Sequence, residues 1–299
     1  MASLRTTITG PSGFIGSNLL SHFADCGAQV SCYNLRYPQR FGSAGPSGDV
    51  LIHCAGIAHT EFPDPDLIHQ ANHELPLQTA EWAKAKGYAH FVFLSTSLVW
   101  DESLEVIDTG RDTPTPNTHY GKAKLAAEQD ILDLTSRSFA VSVVRLPLVY
   151  GPGVKGNLAR LIDAVTNWTV CPLGSREAIR SVTGVSTIGL FIQHLVDYRL
   201  TGVFTLVDTP KISTFEMVCL LRNGLPSSGI TVPLPRFTRL ALDRVSPSIS
   251  RRLLHSRVIM DNTVRETGFN PIVEREVVRD GFTQMARRHY EYAQRKQES

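Results

Sequence analysis

The chain has 299 residues, 42% of them hydrophobic and 19% charged, with a formal net charge of +2. This composition is ample for one large or two small domains with a buried core and excludes a globally disordered chain. The small net charge gives no general reason to expect a nucleic-acid partner. No signal peptide or membrane span is predicted, and the five cysteines include no CxxC pair. We therefore expect a cytoplasmic globular protein with free thiols.

Strand-like and helix-like patterns alternate through the first 150 residues. This alternation is typical of a parallel sheet that is covered by helices on both faces. We therefore predict an α/β fold with a Rossmann-type doubly wound parallel sheet. The predicted strands are 6–9, 30–33, 50–54, 91–94 and 141–146, and the predicted helices are 15–24, 66–86 and 120–134.

The pattern loosens after residue 151, where we predict one more strand at 203–207 and helices at 213–221 and 277–292. The connection between the second and third strands, within 34–49, is short and rich in proline and glycine. A crossover helix with an additional strand does not fit there, so we predict a loop.

A glycine-rich segment, Gly10-Pro11-Ser12-Gly13-Phe14-Ile15-Gly16, lies between the first predicted strand and the first predicted helix. Glycines in this place let the chain turn sharply, bring the backbone close to a pyrophosphate and let the helix pack on the strand. The N-terminus of the helix then faces the phosphates with free N–H groups and the positive end of its dipole. This context favours a dinucleotide site over a purely structural turn.

The end of the second predicted strand bears on the choice of dinucleotide. An acidic residue at this point binds the adenosine ribose of NAD, but this chain has Asn34, followed by Arg36 and Arg40. Asn34 does not repel a 2′-phosphate, and either arginine can pair with one. We therefore favour NADP over NAD, and the alternative that both arginines are solvated loop charges stays open.

Tyr120 and Lys124 lie four residues apart in a predicted helix and so share one face. A tyrosine with its ordinary pKa of about 10 is a poor base, but a nearby ammonium and a cationic nicotinamide lower that pKa. Such a pair can exchange a proton with a sugar hydroxyl while hydride is exchanged with the nicotinamide. Thr96, at the end of a buried strand, supplies a hydroxyl for the same substrate oxygen. A second match to the spacing, Tyr292 and Lys296, lies in a polar terminal stretch and is rejected.

Six segments together resemble the extended short-chain dehydrogenase/reductases of the NAD-dependent epimerase/dehydratase family. They follow the family's order over almost the whole chain. The segments are TGPSGFIG (9–16), DVLIHCAG (49–56), FVFLSTSLVW (91–100), YGKAK (120–124), RLPLVYGPGVKGN (145–157) and DNTVRETGFNP (261–271).

The resemblance implies a nucleotide-sugar substrate, an NAD(P) cofactor, and a catalytic trio of Thr96, Tyr120 and Lys124. It also implies a homodimer as a property of the family. The expected substrate contacts are Thr96, Ser97, Asn157 and Arg180, the last two holding the nucleotide diphosphate. The expected cofactor contacts include Asn34 and Arg36 at the end of the second strand. The full set is Gly10, Ser12, Gly13, Phe14, Ile15, Gly16, Asn34, Arg36, Ala55, Gly56, Tyr120, Lys124 and Pro147.

The loosening of the strand and helix pattern after residue 151 suggests how the chain divides. We assign residues 1–150, with a later return near 184–210, to an NAD(P)-binding domain of the Rossmann type. Residues 151–183 and 211–299 are assigned to a smaller, irregular C-terminal lobe that binds the nucleotide sugar.

Departures from the family's pattern narrow the expected reaction. The short connection after the second strand lacks the acidic motif that contacts adenine in the family, which implies a more exposed adenine and weaker cofactor binding. Trp100 replaces a usual tyrosine, and Asn34 replaces a usual aspartate. Dehydratase members carry an Asp-Glu pair after the catalytic threonine. Here Ser97 and Leu98 follow Thr96, so sugar dehydration is not expected.

Three segments, GPGVKGN, PLGS (172–175) and Arg180-Ser181, resemble a compact subgroup of the family. It contains 4-keto reductases of UDP-N-acetyl-6-deoxyhexoses and enzymes named UDP-glucose 4-epimerases, both of which transfer hydride at sugar C4. The shortened adenine side and the strand end that favours NADP suit a reductase with exchangeable cofactor, as used in polysaccharide biosynthesis. We therefore expect reduction of a UDP-4-keto-hexose. A UDP-glucose or UDP-GlcNAc 4-epimerase with tightly bound NAD and a non-catalytic dinucleotide-sensing protein are the alternatives.

An arginine-rich stretch near the C-terminus contains a single acid, Asp243. We interpret it first as a solvated helix face, then as a diphosphate site, and last as a nucleic-acid or membrane-surface patch. Lys155 is either a loop charge or a phosphate contact. The spacing of His53, His59 and His119 does not resemble a metal site, so no metal is expected. The stretch comprises Arg236, Arg239, Arg244, Arg251, Arg252 and Arg257.

Overall fold

The computed structural model describes residues 4–35, 45–58, 64–226, 229–235, 237–261, 263–271 and 274–298. The strands are β1 (Arg5–Thr9), β2 (Gln29–Tyr33), β3 (Val50–His53), β4 (His90–Thr96), β5 (Val106–Asp108), β6 (Ala140–Leu146), β7 (Leu148–Tyr150), β8 (Val170–Cys171), β9 (Ile179–Arg180), β10 (Val182–Gly184), β11 (Gly202–Thr205), β12 (Ile212–Ser213), β13 (Ile230–Thr231) and β14 (Val258–Met260). The helices are α1 (Phe14–Asp25), α2 (Pro65–His69), α3 (Leu75–Ala85), α4 (His119–Leu132), α5 (Asn157–Asn167), α6 (Val185–Asp197), α7 (Thr214–Asn223), α8 (Phe237–Val245), α9 (Pro247–Leu254), α10 (Thr263–Glu266) and α11 (Arg275–Glu298). A π-helical turn, Gln70–Glu74, joins α2 to α3, and a 3-10 turn, Ser97–Val99, follows β4.

A parallel sheet with the strand order β11-β6-β4-β3-β1-β2 forms the centre of the molecule. The strand β1 pairs with β2 on one side and with β3 on the other, so Thr9 is level with both Tyr33 and His53. The chain therefore changes direction across the sheet at β1. In doubly wound folds such a change opens a crevice at the carboxyl ends of the strands, where ligands bind. The predicted doubly wound parallel sheet is confirmed.

Helices cover both faces of this sheet, which is why its central strands are buried along most of their length. Every residue of β3 and β4 is buried. On one face, α1 and α6 pack against the strands through Leu19, Phe23 and Phe191. On the other face, α3 and α4 pack through Trp82 and Ile131.

The single helix predicted at 66–86 is interrupted in the structure by the π-helical turn. Pro76 has no backbone N–H to give to the carbonyl of Asn72, four residues earlier, so a regular α-helical hydrogen bond is lost there. The N–H of Leu75 instead bonds to the carbonyl of Gln70, five residues earlier. The wider turn holds the buried side chain of Asn72 next to the candidate site.

Residues that follow β6 build a second apolar cluster beside the sheet. Helices α5, α7 and α11 meet there through Ile162, Val218 and Phe282. The strand predicted at 203–207 is present as β11, which returns to the main sheet beside β6. The helices predicted near 213–221 and 277–292 correspond to α7 and α11.

The connection between β2 and β3 falls largely on residues 36–44, which lie outside the described residues, so the loop predicted there stays a prediction. Within the described strands, the partner of β2 in the sheet is β1. In the described parts of the chain, no helix combines the length and the apolar character that crossing a membrane requires.

Candidate active site

The turn between β1 and α1 can be built only without side chains at two positions. Gly10 has a φ of +63°, and a Cβ there would lie 2.9 Å from the backbone nitrogen of Ala55. A Cβ on Gly16 would collide with the carbonyl oxygen of Gly10. The N–H of Gly13 closes the turn by donating to the same carbonyl at 3.0 Å. These contacts bring β1, α1 and the segment after β3 into close packing.

The glycine turn has the donors that a pyrophosphate needs. Helix α1 begins at Phe14, and its N-cap Gly13 has no side chain to bond the N–H groups of the first turn. Those N–H groups and the positive end of the helix dipole suit an anion. The ammonium of Lys155, in the loop after β7, donates a 3.0 Å hydrogen bond to the carbonyl of Ser12 and adds positive charge. The residues present therefore fit the phosphates of a dinucleotide.

The segments after β2 and β3 lie on either side of this turn. Asn34 follows β2 and is exposed, beside the end of β1, while Arg36 and Arg40 lie outside the described residues. Ala55 and Gly56 follow β3, and Ala55 is the residue that a Cβ on Gly10 would touch. The described residues expected to contact the cofactor after β1, β2 and β3 thus lie at one edge of the sheet. Arg36 and Arg40 are outside the described residues.

The start of α4 lies against the turn that follows Thr96. Thr96 is the last residue of β4, and its hydroxyl oxygen accepts a 3.2 Å hydrogen bond from the N–H of Leu98. A Cβ on Gly121 would collide with the carbonyl of Leu98, so the helix can approach only because that residue is glycine. Thr118 caps the helix by accepting from the N–H of Gly121 at 3.0 Å. Tyr120 is therefore fixed in the first turn of a helix that packs on the Thr96 segment.

Lys124 lies where the helix, the sheet and the segment after β3 meet. Its Nζ donates a 3.0 Å hydrogen bond to the carbonyl of Leu94 and lies 4.4 Å from the centre of the Phe93 ring. A Cβ built on Gly56 would be 3.7 Å from the same Nζ. The side chain is buried, and this burial lowers the pKa of Lys124 to about 8. Lys124 and the expected cofactor residue Gly56 therefore border one site, and Tyr120 lies one helical turn before Lys124 on α4.

The pKa of Tyr120 differs from the sequence expectation. We predicted that the ammonium of Lys124 together with a cationic nicotinamide lowers it. In the protein alone, burial raises the pKa of Tyr120 to about 12. In the structure, the Lys124 ammonium is hydrogen-bonded to the carbonyl of Leu94. The phenol of Tyr120 accordingly keeps its proton at neutral pH, as a general acid must.

The two described histidines near the site, His53 and His119, lie in different surroundings. His53 at the end of β3 is fully buried with its ring 6.0 Å from those of Phe91 and Phe93, and burial lowers its pKa to about 3. His119 is the exposed first residue of α4, and His59 lies outside the described residues. No group of three or more His, Cys, Asp or Glu side chains suited to a metal occurs in the described ranges.

Positive charge is concentrated next to the turn after Thr96. The backbone of Arg180 on β9 forms a parallel β-bridge with that of Arg257. Burial, together with the positive charges of Arg257 and Arg252, lowers the pKa of Arg180 to about 10. The guanidinium of Arg257 donates to the carbonyl of Ser97 at 2.7 Å and to three further carbonyls of the 97–104 segment. This arrangement suits an anionic ligand beside Thr96.

Arginines of the arginine-rich stretch form ion pairs that the sequence did not predict. Arg239 pairs with Glu105 at 2.6 Å, and Arg251 lies 4.0 Å from Glu102. Arg236 lies outside the described residues. Acids distant in sequence therefore neutralise part of this positive surface.

The segment after β7 also lies against the glycine turn. The carbonyl of Pro152 accepts a 2.9 Å hydrogen bond from the Asn18 side chain of α1, close to the contact between Lys155 and Ser12. Asn157 is the first residue of α5, five residues farther on from Pro152, and Pro147 lies between β6 and β7. The Asn157 segment and the expected cofactor cradle are thus neighbours.

Sequence reasoning missed two buried polar residues next to Lys124. The Asn72 amide accepts from the N–H of Ile57 at 3.1 Å and donates to its carbonyl at 3.0 Å, which fixes the segment after Gly56. Glu128 is buried one helical turn after Lys124. The sequence contained a signal for each residue. Asn72 lies four residues before Pro76, and Glu128 continues the four-residue spacing of Tyr120 and Lys124.

Known proteins resemble this chain in sequence. The model of the NAD dependent epimerase/dehydratase family matches residues 34–185. UDP-glucose 4-epimerase of Vibrio cholerae is 26% identical over 309 residues, covering 93% of each chain. Methionine adenosyltransferase 2 subunit beta of Rattus norvegicus is 24% identical over 254 residues, covering 76% of this chain and 75% of that protein.

The fold has counterparts among solved structures. MoeE5 in complex with UDP-glucose and NAD superposes with a TM-score of 0.72 at 21% identity, covering 98% of this chain and 99% of that one. This likeness concerns the fold, whereas the family match rests on the sequence of half the chain. With the glycine turn after β1 and the paired Tyr120 and Lys124 on α4, the chain belongs to the NAD dependent epimerase/dehydratase family.

Proposed function

We propose that the protein is an NAD(P)-dependent nucleotide-sugar oxidoreductase that acts at C4 of the sugar, and that its reaction is the reduction of a UDP-4-keto-hexose. The observation that carries this proposal is the packing of α4 on the end of β4. It joins Thr96, Tyr120 and Lys124 to the glycine turn through Gly56 and Ala55.

The roles of the trio follow from the chemistry of each side chain. The dinucleotide supplies hydride to C4 when it is bound. The Oη of Tyr120 donates its proton to the C4 oxygen, so the ketone becomes an alcohol. The hydroxyl of Thr96 donates a hydrogen bond to the same oxygen and orients it. The ammonium of Lys124 holds the nicotinamide ribose and stabilises the tyrosinate that remains after proton transfer.

Two features support reduction as the direction. The pKa of Tyr120 lies well above neutral pH, so the phenol begins the reaction protonated, which suits an acid that donates first. Asn34 stands where NAD-binding members place an acid, and Arg36 follows it, so NADP is the preferred cofactor in this proposal. A reductase must release its oxidised cofactor, and a short connection after β2 agrees with weaker binding.

We propose the same division of the chain for binding. Residues 1–150, with 184–210, hold the dinucleotide, and residues 151–183 and 211–299 hold the nucleotide sugar. Arg180 and Asn157 bind the diphosphate, and Ser97 contacts the sugar beside Thr96. The partly exposed Arg180, beside the further positive charges of Arg257 and Arg252, supports an anionic substrate. The complex of MoeE5 with UDP-glucose and NAD supports the pairing of the two ligand classes.

The test is a turnover assay with a UDP-N-acetyl-6-deoxy-4-keto-hexose and either NADPH or NADH. We expect loss of reduced nicotinamide and one stable UDP-hexose product, with NADPH preferred. The variant Thr96→Val, which keeps size but loses the hydroxyl, should lower kcat by about 10²-fold if it loses one transition-state hydrogen bond. Cofactor binding without turnover on any nucleotide sugar would instead support a dinucleotide-sensing protein.

A 4-epimerase is the second candidate, and the relative from Vibrio cholerae favours it. In that reaction the same trio oxidises C4 and then reduces it from the opposite face, so no cofactor is consumed. The discriminating result is interconversion of UDP-glucose and UDP-galactose by purified protein without added dinucleotide. A requirement for added reduced cofactor rules this candidate out.

A further inference from the structure

Glu128 is a buried carboxylate that the proposed reaction does not use. Helix α4 carries Tyr120, Lys124 and Glu128 at steps of four residues, which places all three on one face of the helix. Only 1% of Glu128 and 5% of Lys124 are exposed. A carboxylate this deep in a protein is kept only when strong partners compensate its lost hydration.

Two neighbouring strands supply those partners. On β6, Arg145 donates from Nη2 at 2.6 Å and from Nε at 3.0 Å to one carboxylate oxygen of Glu128. On β4, the hydroxyl of Ser95 donates to the other oxygen. The Arg145 guanidinium also lies 4.7 Å from the centre of the Trp100 ring. The carboxylate of Glu128 is thus held in one position by Arg145 and Ser95. It lies next to the two residues of β4 that precede and follow Ser95.

Those two residues belong to the candidate site. Leu94 gives its carbonyl to the ammonium of Lys124, and Thr96 ends the strand. The bond from Ser95 to Glu128 therefore ties the end of β4 to the helix that carries Tyr120 and Lys124. One carboxylate on α4 therefore bonds to the strand that ends in Thr96.

Among the described groups around Lys124, the negative charge is that of Glu128, one helical turn away, whose carboxylate is itself paired with the positive Arg145 of β6 at 2.6 Å. From β3, His53 is neutral because its pKa is about 3, and burial raises the pKa of Cys54 to about 12, so its thiol is uncharged as well. From β4, Lys124 meets the Leu94 carbonyl and the Phe93 ring. On its own helix, Tyr120 keeps its proton. Burial lowers the pKa of Lys124, and the negative charge of Glu128 opposes that fall.

We propose that Glu128 is a positioning residue that keeps Lys124 in its ammonium form and fixes the end of β4 against α4. The catalytic consequence rests on the proposed function, because a charged Lys124 is needed there to hold the ribose and stabilise the tyrosinate. The protonation of Lys124 is a property of the folded chain without any ligand and can be measured separately.

The experiment is a ¹³C-lysine NMR titration of cofactor-free protein, in which the Cε signal of Lys124 is identified by its loss in Lys124→Met. In Glu128→Gln we expect the titration midpoint of Lys124 to fall by about one pH unit or more relative to wild type, as for the loss of a nearby opposite charge. Asp130→Asn removes an exposed carboxylate from the same helix and should leave the midpoint unchanged.

A second variant separates charge from folding. Glu128→Gln leaves Arg145 buried without its carboxylate, which destabilises the protein. The double variant Glu128→Gln with Arg145→Met removes both charges. It should recover stability while the Lys124 midpoint stays low. A midpoint that returns to the wild-type value together with stability would overturn the proposal.

An activity assay distinguishes failure of the role of Glu128 from failure of the proposed function. If the reductase activity is present, the alkaline limb of its pH–rate profile should move to lower pH in both Glu128 variants, by the same amount as the NMR midpoint. A shifted midpoint in a protein that turns over no nucleotide sugar refutes the proposed function and leaves the role of Glu128 intact. Turnover with an unshifted midpoint and an unshifted limb refutes the role of Glu128.

Discussion

The ammonium of Lys124 donates a 3.0 Å hydrogen bond to the carbonyl of Leu94, two residues before Thr96 on the same strand. This bond spans the gap between helix α4 and the carboxyl end of the sheet. It explains how a residue pair on a helix and a hydroxyl on a strand share one site, although 23 positions separate Thr96 from the helix start at His119. The relation also gives the buried Lys124 ammonium an acceptor before any ligand binds.

Replacing Tyr120 by Phe should remove the proton donor and little else. We expect kcat to fall by about 10²–10⁴-fold, the usual contribution of a general acid, while the Kd for NADPH changes little. Steady-state kinetics and a fluorescence titration of NADPH measure the two quantities. The matched control is Tyr292→Phe, in the second stretch with the same spacing, where the ring is 69% exposed and activity should be unchanged. Wild-type turnover in the Tyr120 variant would remove Tyr120 from the mechanism.

Replacing Gly16 by Ala should damage both the fold and the dinucleotide site. The new Cβ collides with the carbonyl of Gly10, so α1 must move away from the turn. Such overpacking costs about 1–3 kcal/mol in the free energy of unfolding, and the affinity for NADPH should fall with it. Gly110→Ala is the control, because its Cβ would lie at an ordinary 3.5 Å from the nearest atom. Urea unfolding and NADPH titration measure the two effects. Equal free energies of unfolding and equal NADPH affinities in the two variants would contradict the close contact of Gly16 with Gly10.

Replacing Asn34 by Asp tests the cofactor preference. A carboxylate at the end of β2 repels a 2′-phosphate and accepts from a ribose hydroxyl. The ratio of kcat/KM for NADPH to that for NADH should therefore fall by about 10-fold or more, since 1.4 kcal/mol of repulsion is tenfold. An unchanged ratio would mean that Asn34 does not face the adenosine ribose.

The buried Asp208 should make stability depend on pH. One oxygen of its carboxylate accepts from the Oη of Tyr150 at 2.9 Å and from the N–H of Gly184 at 2.7 Å, and burial raises the pKa of Asp208 to about 6. From about pH 4 to 6 the folded protein keeps a proton that the unfolded chain loses, so this group's contribution to stability falls as pH rises.

The variant Asp208→Asn cannot lose that proton. Its free energy of unfolding relative to wild type should rise by about 3 kcal/mol from pH 4 to pH 7, the equivalent of a two-unit pKa shift. Urea unfolding at both pH values measures the difference. A constant difference between the two proteins would show that Asp208 titrates normally.

The fold was predictable because its signals are local. Apolar strands such as 50–54 and 91–94, the glycines after β1 and the amphipathic stretch after them each determine their own structure. The break within the helix predicted at 66–86 was foreseeable from Pro76 alone, since a proline removes one backbone donor.

The electrostatics of the site were not predictable in the same way. The raised pKa of Tyr120 depends on burial, which the spacing of Tyr120 and Lys124 does not encode. Arg257 holds the segment after Thr96 from 160 positions away, and no local pattern distinguishes it from the other arginines near it. Glu128 depends likewise on partners that only the assembled sheet supplies.

The most direct test of hydride transfer at C4 uses NADPH that carries deuterium at the transferable position of the nicotinamide. The protein is incubated with a UDP-4-keto-hexose, and the product is examined by NMR. The proposed reaction predicts one deuterium on C4 of a single UDP-hexose product and none in the Tyr120→Phe variant. A wild-type product without deuterium at C4, from NADPH or from NADH, would contradict the proposal.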